Sequence, residues 1–467
     1  MMEALPSLLL FAGLLLALMA GYPVAFTLAG VSLLAAGIGI LTGTFDAVFL
    51  NALPNRLYGL MINQTLVAVP AFVFMGSMLE RSGLAEELLL SMEALLGNTR
   101  NGLSLAVIVV GALLAASTGI VGATVVTMGM LALPSMLQRG YSPRLAAGSI
   151  CAAGTLGQII PPSIALVLLG DVLANAYQQA QISSGVFNTQ TVSVGDLFAG
   201  ALIPGLLLVL LYIVYAVLLA PRVSGAGGQT EPQDNAGDDA QVSRPQQPGL
   251  GSLLLTLLAP LLLIVLVLGS IFMGAASPTE AAAVGAVGAT ALAAIKRRLS
   301  KTVWRQVVYR SAQITSMVFM ILIAASLFAL VFRGFGGDRV VTELLGNLPG
   351  GVFTAMLVVM LVIFVLGFML DFIEITYVVV PIVAPVLLAM GVSPIWLGIM
   401  IAVNLQTSFL TPPFGFALFY LRGVASQQLS TSDLYRGVLP FIVLQLLVLG
   451  LLAVFPALAT WLPQQLG

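Results

Sequence analysis

Two carboxylates, Asp371 and Glu374, stand in the stretch LDFIEITYVVVPIVAPVL with apolar residues on both sides. Burying a carboxylate in hydrocarbon is costly, so acids there mark either a site or the mouth of a wet cavity. A second set of polar side chains gathers beside two proline pairs. Thr155 and Gln158 precede Pro161-Pro162 in GTLGQIIPPSIAL, and Asn404, Gln406, Thr407, Ser408 and Thr411 precede Pro412-Pro413 in NLQTSFLTPPFGFA. Proline lacks an N–H and its ring clashes with the preceding turn, so each pair breaks a helix. In apolar surroundings the freed carbonyls and helix ends must find partners or line a cavity, where they can ligate ions. The polar side chains nearby either satisfy those freed groups or contact a ligand. Gly119, Gly122, Gly154 and Gly157 flank the same places and permit tight turns and close backbone approach.

The elements that position these residues are membrane helices. The chain of 467 residues is 60% hydrophobic and only 7% charged, where a soluble domain carries about 25% charged residues. Many segments run about 17–25 residues with few charges, the length that spans a bilayer. The sequence therefore predicts an all-α polytopic membrane protein. Spans are predicted at 5–20, 23–41, 64–80, 145–170, 197–220, 252–272, 278–295, 311–332, 395–421 and 438–462. The N-terminal run MMEALPSLLLFAGLLLALMA lacks the basic flank of a signal peptide and reads as the first of them. Two apolar stretches, 103–137 and 352–390, are too long for one span. They are interrupted at Ser117–Thr124 and Asp371–Thr376, and each is predicted to be a re-entrant hairpin.

Composition also excludes chemistry. There is no histidine, which removes His-based zinc sites, Ser-His-Asp triads and histidine proton relays. The single cysteine, Cys151, allows no internal disulfide. No GxxxxGK[ST] motif is present, so a gradient rather than ATP is the expected energy source. With a net charge of −1 and dispersed basic residues, no nucleic-acid partner is expected. An intramembrane enzyme is disfavoured, because no nucleophile–base pair is visible.

With both hairpins re-entrant, Arg100, Arg139, Arg144, Arg222, Arg244, KRRLSK, Arg305, Arg310, Arg422 and Arg436 fall on one face. The positive-inside rule makes that face cytoplasmic. Arg56, Arg333 and Arg339 fall on the other, together with a predicted outer loop at 171–196 that holds no Lys or Arg. Residues 222–250, rich in Gly, Pro, Gln and Asp, read as a flexible cytoplasmic linker. The stretch LERSGLAEELLLSMEALLG reads as an amphipathic interfacial helix. Pro278-Thr279-Glu280 reads as a helix start. The small residues after it suit tight helix packing.

An internal repeat ties the two breaks together. MLALPSMLQRGYSPRLAAGSICAAGTLGQIIPPSIAL (130–166) aligns without a gap on PIVAPVLLAMGVSPIWLGIMIAVNLQTSFLTPPFGFA (381–417). Pro134, Gly140, Ser142, Pro143, Pro161 and Pro162 are among the identities, and they share one offset (412 − 161 = 251). Five predicted spans separate the hairpins, an odd number, so the second unit is predicted to be inverted. Inverted repeats with paired broken helices are a signature of secondary transporters.

At these residues the chain resembles the large membrane subunit of a TRAP (tripartite ATP-independent periplasmic) transporter. The resemblance is carried by STGIVGATV, GYSP with GTLGQIIPPSI, GAASPTEAAAVGAV, LDFIEITYVVVPIVAPVL and NLQTSFLTPPFGFALF, and it covers nearly the whole chain. It implies elevator-type scaffold and transport domains. These are 1–99, N-terminal scaffold helices and arm; 100–170, first transport-domain repeat; 171–221, outer loop and scaffold helix; the linker 222–250; 251–350, scaffold helices and arm; 351–421, second transport-domain repeat; and 422–467, C-terminal helix. It implies Na+ coupling, with a first sodium site between the tip Ser117, Thr118, Gly119 and Gly122 and the break Gly154, Thr155 and Gly157. A second site is implied between Asp371 and Glu374 and the break Gln406, Thr407 and Thr411. The substrate is implied between them, at Gln158, Asn404 and Ser408. The first tip departs from the serine-rich SGS-type stretch of many members. The implied partners are a separate small four-helix membrane subunit, a periplasmic solute-binding protein and the lipid bilayer. The implied location is the bacterial inner membrane. Within the family the chain is most similar to a branch some of whose binding proteins take 2-oxo or hydroxy acids. A stand-alone sodium/carboxylate symporter of related fold is the alternative.

Overall fold

Serine sets where many of the helices begin. Ser142, Ser193, Ser277, Ser300, Ser393 and Ser430 each accept, through the side-chain oxygen, the backbone N–H three residues on. That cap satisfies one of the donors a helix start leaves unpaired. In three of these cases a proline follows at once, at 143, 278 and 394, where its missing N–H costs nothing.

The computed structural model describes residues 5–96, 101–119, 121–186, 188, 190–220, 250–425 and 429–466. The linker 222–250, apart from Leu250, and the side chains of Ser117 and Thr118 lie outside the described residues. Among the described residues every regular element is a helix. The first group is α1 (Leu5–Met19), α2 (Val24–Thr42), α3 (Leu53–Ile62), α4 (Ala68–Arg81) and α5 (Leu84–Leu96). The first hairpin is α6 (Gly102–Thr118) and α7 (Val121–Gln138). The first broken helix is α8 (Pro143–Thr155), a 3-10 turn (Leu156–Gln158) and α9 (Ile164–Ser183). Next come α10 (Val194–Val214), α11 (Leu250–Phe272), α12 (Pro278–Ile295), α13 (Lys301–Gly334) and α14 (Gly337–Gly346). The second hairpin is α15 (Gly351–Leu366) and α16 (Phe372–Glu374), the latter continued by a π-helical turn (Ile375–Val379) into α17 (Val380–Ala389). The second broken helix is α18 (Pro394–Leu410) and α19 (Phe416–Ala425), and α20 (Thr431–Val454) and α21 (Ala457–Leu466) close the chain. Among the described residues seven helices are long and apolar enough to cross a membrane. The protein is a multi-pass membrane protein.

Local structure recurs at the offset seen in the sequence. α7 covers 121–138 and the equivalent helix covers 372–389. α8 starts at Pro143 and α18 at Pro394. The turns before them use left-handed glycines, Gly140 (φ 80°) and Gly391 (φ 90°). The peptide bonds of both proline pairs are cis.

Several boundaries differ from the sequence reading. The polar stretch 171–183, predicted as loop, continues α9 to Ser183. It contains no breaker, and Ala and Gln favour helix, so polarity alone misled the prediction. The span 311–332 is part of α13, 34 residues long, about 50 Å at 1.5 Å per residue. Arg305 and Arg310 are therefore on the helix and not in a loop before it. The second hairpin turns at 367–371, ahead of the predicted 371–376, because Asp371 caps the helix that starts at Phe372. The span 395–421 divides at 411–415, and 438–462 divides into α20 and α21.

Small residues let these helices approach closely. A Cβ on Gly148 of α8 would lie 2.1 Å from the Gly437 carbonyl oxygen of α20, and one on Gly437 would lie 2.2 Å from the Arg144 carbonyl oxygen. α5 ties two parts of the fold: Glu87 pairs with Lys296 at 2.5 Å beyond α12, and Glu93 pairs with Arg139 beyond α7. Replacing Gly437 with Ala should cost about 1–3 kcal/mol of stability. Gly13→Ala, where a Cβ meets nothing within 4 Å, should cost none. Thermal unfolding in detergent checks this, and equal melting temperatures would show that α8 and α20 can separate freely.

Candidate functional site

The two breaks meet at one buried polar cluster. Thr155 ends α8, and its hydroxyl donates to the Ala152 carbonyl at 2.9 Å. The amide nitrogens of Gln406 and Gln445 both reach the Thr155 oxygen at 3.4 Å. Thr155 and Gln406 are 251 residues apart, so equivalent positions of the two repeats touch. All three side chains are fully buried, and the Oε1 atoms of Gln406 and Gln445 have no hydrogen-bond partner among the described residues. A buried acceptor left unpaired costs about 1–3 kcal/mol, so such oxygens are available to a cation or water.

The remaining polar residues of the second break hold backbone. Asn404 donates to the Met360 carbonyl at 2.7 Å and Ser408 to the Phe364 carbonyl at 2.8 Å, pinning α15 to α18. Thr407 and Thr411 donate to the carbonyls of Val403 and Thr407. In the first break the Ser163 hydroxyl closes on the Gly157 carbonyl at 2.8 Å. Gly154 lies against Val125 of α7, so the first hairpin packs on the first break.

The two hairpin tips share a cavity of about 460 Å³. Gly119 turns the first tip with φ 60°, and a Cβ there would sit 2.9 Å from the Ile164 nitrogen. Glycine is required at this place by both conformation and space. Gly122 lies beneath the Tyr420 ring of α19. At the second tip the Asp371 N–H donates to a Glu374 oxygen at 2.9 Å, and one Asp371 oxygen accepts from the Phe372 N–H at 2.7 Å. Asp371 lines the cavity, and Glu374 is buried behind it.

Four helices open onto this cavity with their first residues: Val121 and Gly122 of α7, Ile164 and Ala165 of α9, Phe372 and Ile373 of α16, and Phe416 of α19. Each contributes partial positive charge, offset at α16 by the Asp371 carboxylate that accepts from the Phe372 N–H, and the setting favours an anion. Gln158 faces the cavity with its Oε1 unpaired among the described residues. The far wall, from α4 and α13, carries Glu80, Arg81, Arg310 and Gln313. Glu80 is reached by the Thr127 hydroxyl of α7 at 3.4 Å, a polar contact across the cavity rim.

The sequence reading paired each tip with its own break. In the structure both tips and Gln158 line the common cavity, while Thr155 and Gln406 lie together outside it. Sequence reasoning missed Arg310, Gln313, Tyr420 and Gln445, and it placed Arg81 on an interfacial helix. The signal available was the absence of a helix breaker between Lys301 and Gly334, which carries Arg310 into the helical region.

Comparison with known proteins decides the family. The sequence profile described as "Tripartite ATP-independent periplasmic transporter, DctM component" matches residues 11–458. The chain belongs to this family. It is 31% identical to the C4-dicarboxylate TRAP transporter large permease protein DctM of Pseudomonas aeruginosa, over 93% of this chain and 94% of that one. It is 30% identical to the protein of the same description from Vibrio cholerae serotype O1, over 85% of each. Among solved structures, the Alcanivorax borkumensis YdaH transporter superposes with a TM-score of 0.60, at 17% identity and over 99% of both chains, a likeness of fold. As a DctM component the protein is a transport permease and not an enzyme.

In this permease Thr155 anchors both glutamines. Thr155→Val should strand two buried amide groups and cost about 1–3 kcal/mol per group, while Thr155→Ser should retain stability. Melting curves of the three proteins test this, and a Thr155→Val protein as stable as wild type would remove the cluster's structural role.

Proposed function

We propose that this chain is the large permease of a sodium-coupled TRAP transporter that imports small organic acids. In this reading a periplasmic solute-binding protein delivers the acid and a separate small membrane subunit completes the permease in the bacterial inner membrane. The observation that carries the reading is the convergence of four helix N-termini and two arginines, Arg81 and Arg310, on one cavity. That combination suits carboxylates. The two similar DctM permeases are described as C4-dicarboxylate transporters, and the sequence resemblance points to 2-oxo and hydroxy acids. Small hydroxy dicarboxylates belong to both classes.

Sodium supplies the balancing charge. The resemblance implies one ion at the first tip (Ser117, Thr118, Gly119, Gly122) and break (Gly154, Thr155, Gly157) and the other at Asp371, Glu374, Gln406, Thr407 and Thr411, two sets that meet where Gln406 touches Thr155. The fit rests on donor type: hydroxyl, amide and carboxylate oxygens suit a hard cation, and Gln406 Oε1 is buried without a partner among the described residues. Asp371 and Glu374 in hydrocarbon carry a cost that a bound cation offsets. The substrate binds in the cavity through Gln158 and the helix ends. Asn404 and Ser408 act by holding the second hairpin in place.

Movement follows from the same charges. The hairpins and broken helices form the moving body, and α4 and α13 belong to the fixed wall, as in an elevator. A body carrying Asp371 and an unpaired anion crosses apolar surroundings at high cost; with sodium and substrate aboard its charges are paired.

The test is uptake of labelled C4-dicarboxylic, 2-oxo and hydroxy acids into proteoliposomes. The chain alone is compared with the chain plus small subunit and binding protein, each with and without an inward sodium gradient. Uptake is expected only with all three components and sodium; uptake by the chain alone would make it an autonomous symporter. Arg310→Gln should raise KM for the acid about tenfold or more, the loss of one charged hydrogen bond. Asp371→Asn should raise the sodium concentration needed for half-maximal uptake, and an unchanged sodium titration would exclude Asp371 from the ion site.

A further inference from the structure

A second cavity, of about 480 Å³, lies between α3, α9, α13 and α17. It shares α9, α13 and the inner helix of the second hairpin with the first, and meets each of them farther toward its C-terminus. On α13 the first cavity meets Arg310–Val318 and the second meets Leu322–Arg333. On α9 the first meets Ile164 and Ala165 and the second begins at Asp171. On the inner helix of the second hairpin the first ends at Ile373 and the second begins at Tyr377. The cavities are stacked along one seam. Only about one helical turn, some 6 Å, separates them on α13. Val318, Leu322, Leu168 and Ile375 fill that layer and are all buried.

The polar lining of the second cavity is unevenly paired. Arg56 and Arg333 supply two cations and Asp171 a single acid. Arg333 pairs with Asp338 at 2.7 Å, and Asp171 accepts from the Asn63 amide at 2.8 Å. Arg56 makes no hydrogen bond or ion pair among the described residues. Burial and the neighbouring Arg333 push its pKa below the ordinary arginine value, against the smaller opposing pull of Asp338. The Tyr377 hydroxyl is buried and lies against the Asp171 carboxylate, which it faces without a hydrogen bond of full geometry. A guanidinium held near a like charge is relieved by an oxyanion, and the Tyr377 hydroxyl can turn to donate to one. The volume suits a small molecule.

We propose that this second cavity is an anion site for the carboxylate of the transported acid, held by Arg56, Arg333 and the Tyr377 hydroxyl. It stands one apolar layer from the main cavity, on the face opposite the basic loops. Naming the transported acid as occupant rests on the preceding functional reading; the anion preference does not.

The fold provides a clean probe, because its single cysteine, Cys151, is buried. Gln179 is exposed and lines the second cavity. The Gln179→Cys protein is placed in phosphatidylcholine nanodiscs, where no anionic headgroup competes. It is then labelled with a sulfonate-bearing or a trimethylammonium-bearing methanethiosulfonate. The anionic reagent should react on the order of tenfold faster than the cationic one. Adding Arg56→Gln should bring the ratio near one, and Arg56→Lys should retain it. Malate should slow the anionic reagent, and Tyr377→Phe should weaken that protection several-fold while leaving the charge preference. In spheroplasts the impermeant anionic reagent should reach the introduced thiol from outside. A ratio near one, a ratio indifferent to Arg56→Gln, no protection by malate, or labelling only from the cytoplasmic side would each overturn the proposal. Labelling needs no transport, so failed uptake with an intact anion preference removes the functional reading and leaves the site.

Discussion

A helix that stops inside hydrocarbon leaves up to four N–H groups or four carbonyls without partners, and water is not there to take them. The rest of this fold depends on that constraint. The two proline pairs and the two hairpin turns create eight such ends within the apolar part of the chain. The fold meets the constraint by gathering helix starts at one place, so that α7, α9, α16 and α19 open on a common cavity. Their shared positive potential then becomes a binding property.

The same constraint explains why so many polar side chains near the breaks are occupied. Ser163, Asn404, Ser408 and Thr411 each donate to a backbone carbonyl. These bonds hold the hairpins against the broken helices without using charge. The groups left over beside the breaks include three amide oxygens, at Gln158, Gln406 and Gln445. Under the sodium-coupled function proposed above, such oxygens are what an ion would use, since a perfectly satisfied network offers an ion nothing.

The repeat places these leftovers near its own centre. Thr155 and Gln406 are equivalent positions and touch each other, with Gln445 of α20 completing the contact. The repeats differ where function needs asymmetry. Gln158 of the first break faces the cavity as an amide, and its equivalent, Phe409, faces it as a ring. The acids Asp371 and Glu374 lie in the second tip, while the matching stretch of the first, around 120–123, is apolar and small. Charge is thus concentrated on one side of the cavity and the opposing arginines on another.

What the sequence determined by itself is local. Apolar runs and proline pairs act over a few residues, and from them most of the helices, the two breaks, the two hairpins and the offset of 251 were legible; the serine caps and the left-handed glycines at 140 and 391, which the sequence reading did not use, are equally local. Boundaries failed where a helix is polar, as at 171–183, or runs past its apolar part, as in α13; hydropathy reports surroundings, and a helix leaving the bilayer keeps its hydrogen bonds without its apolar run. Only the tertiary structure decided that both tips face one cavity, that Arg81 and Arg310 form its far wall, and that Gln445 reaches Thr155 across 290 residues. Those contacts join elements far apart in the chain, and the packing that brings them together is carried by surfaces such as Gly148 on Gly437, whose partner no local pattern names.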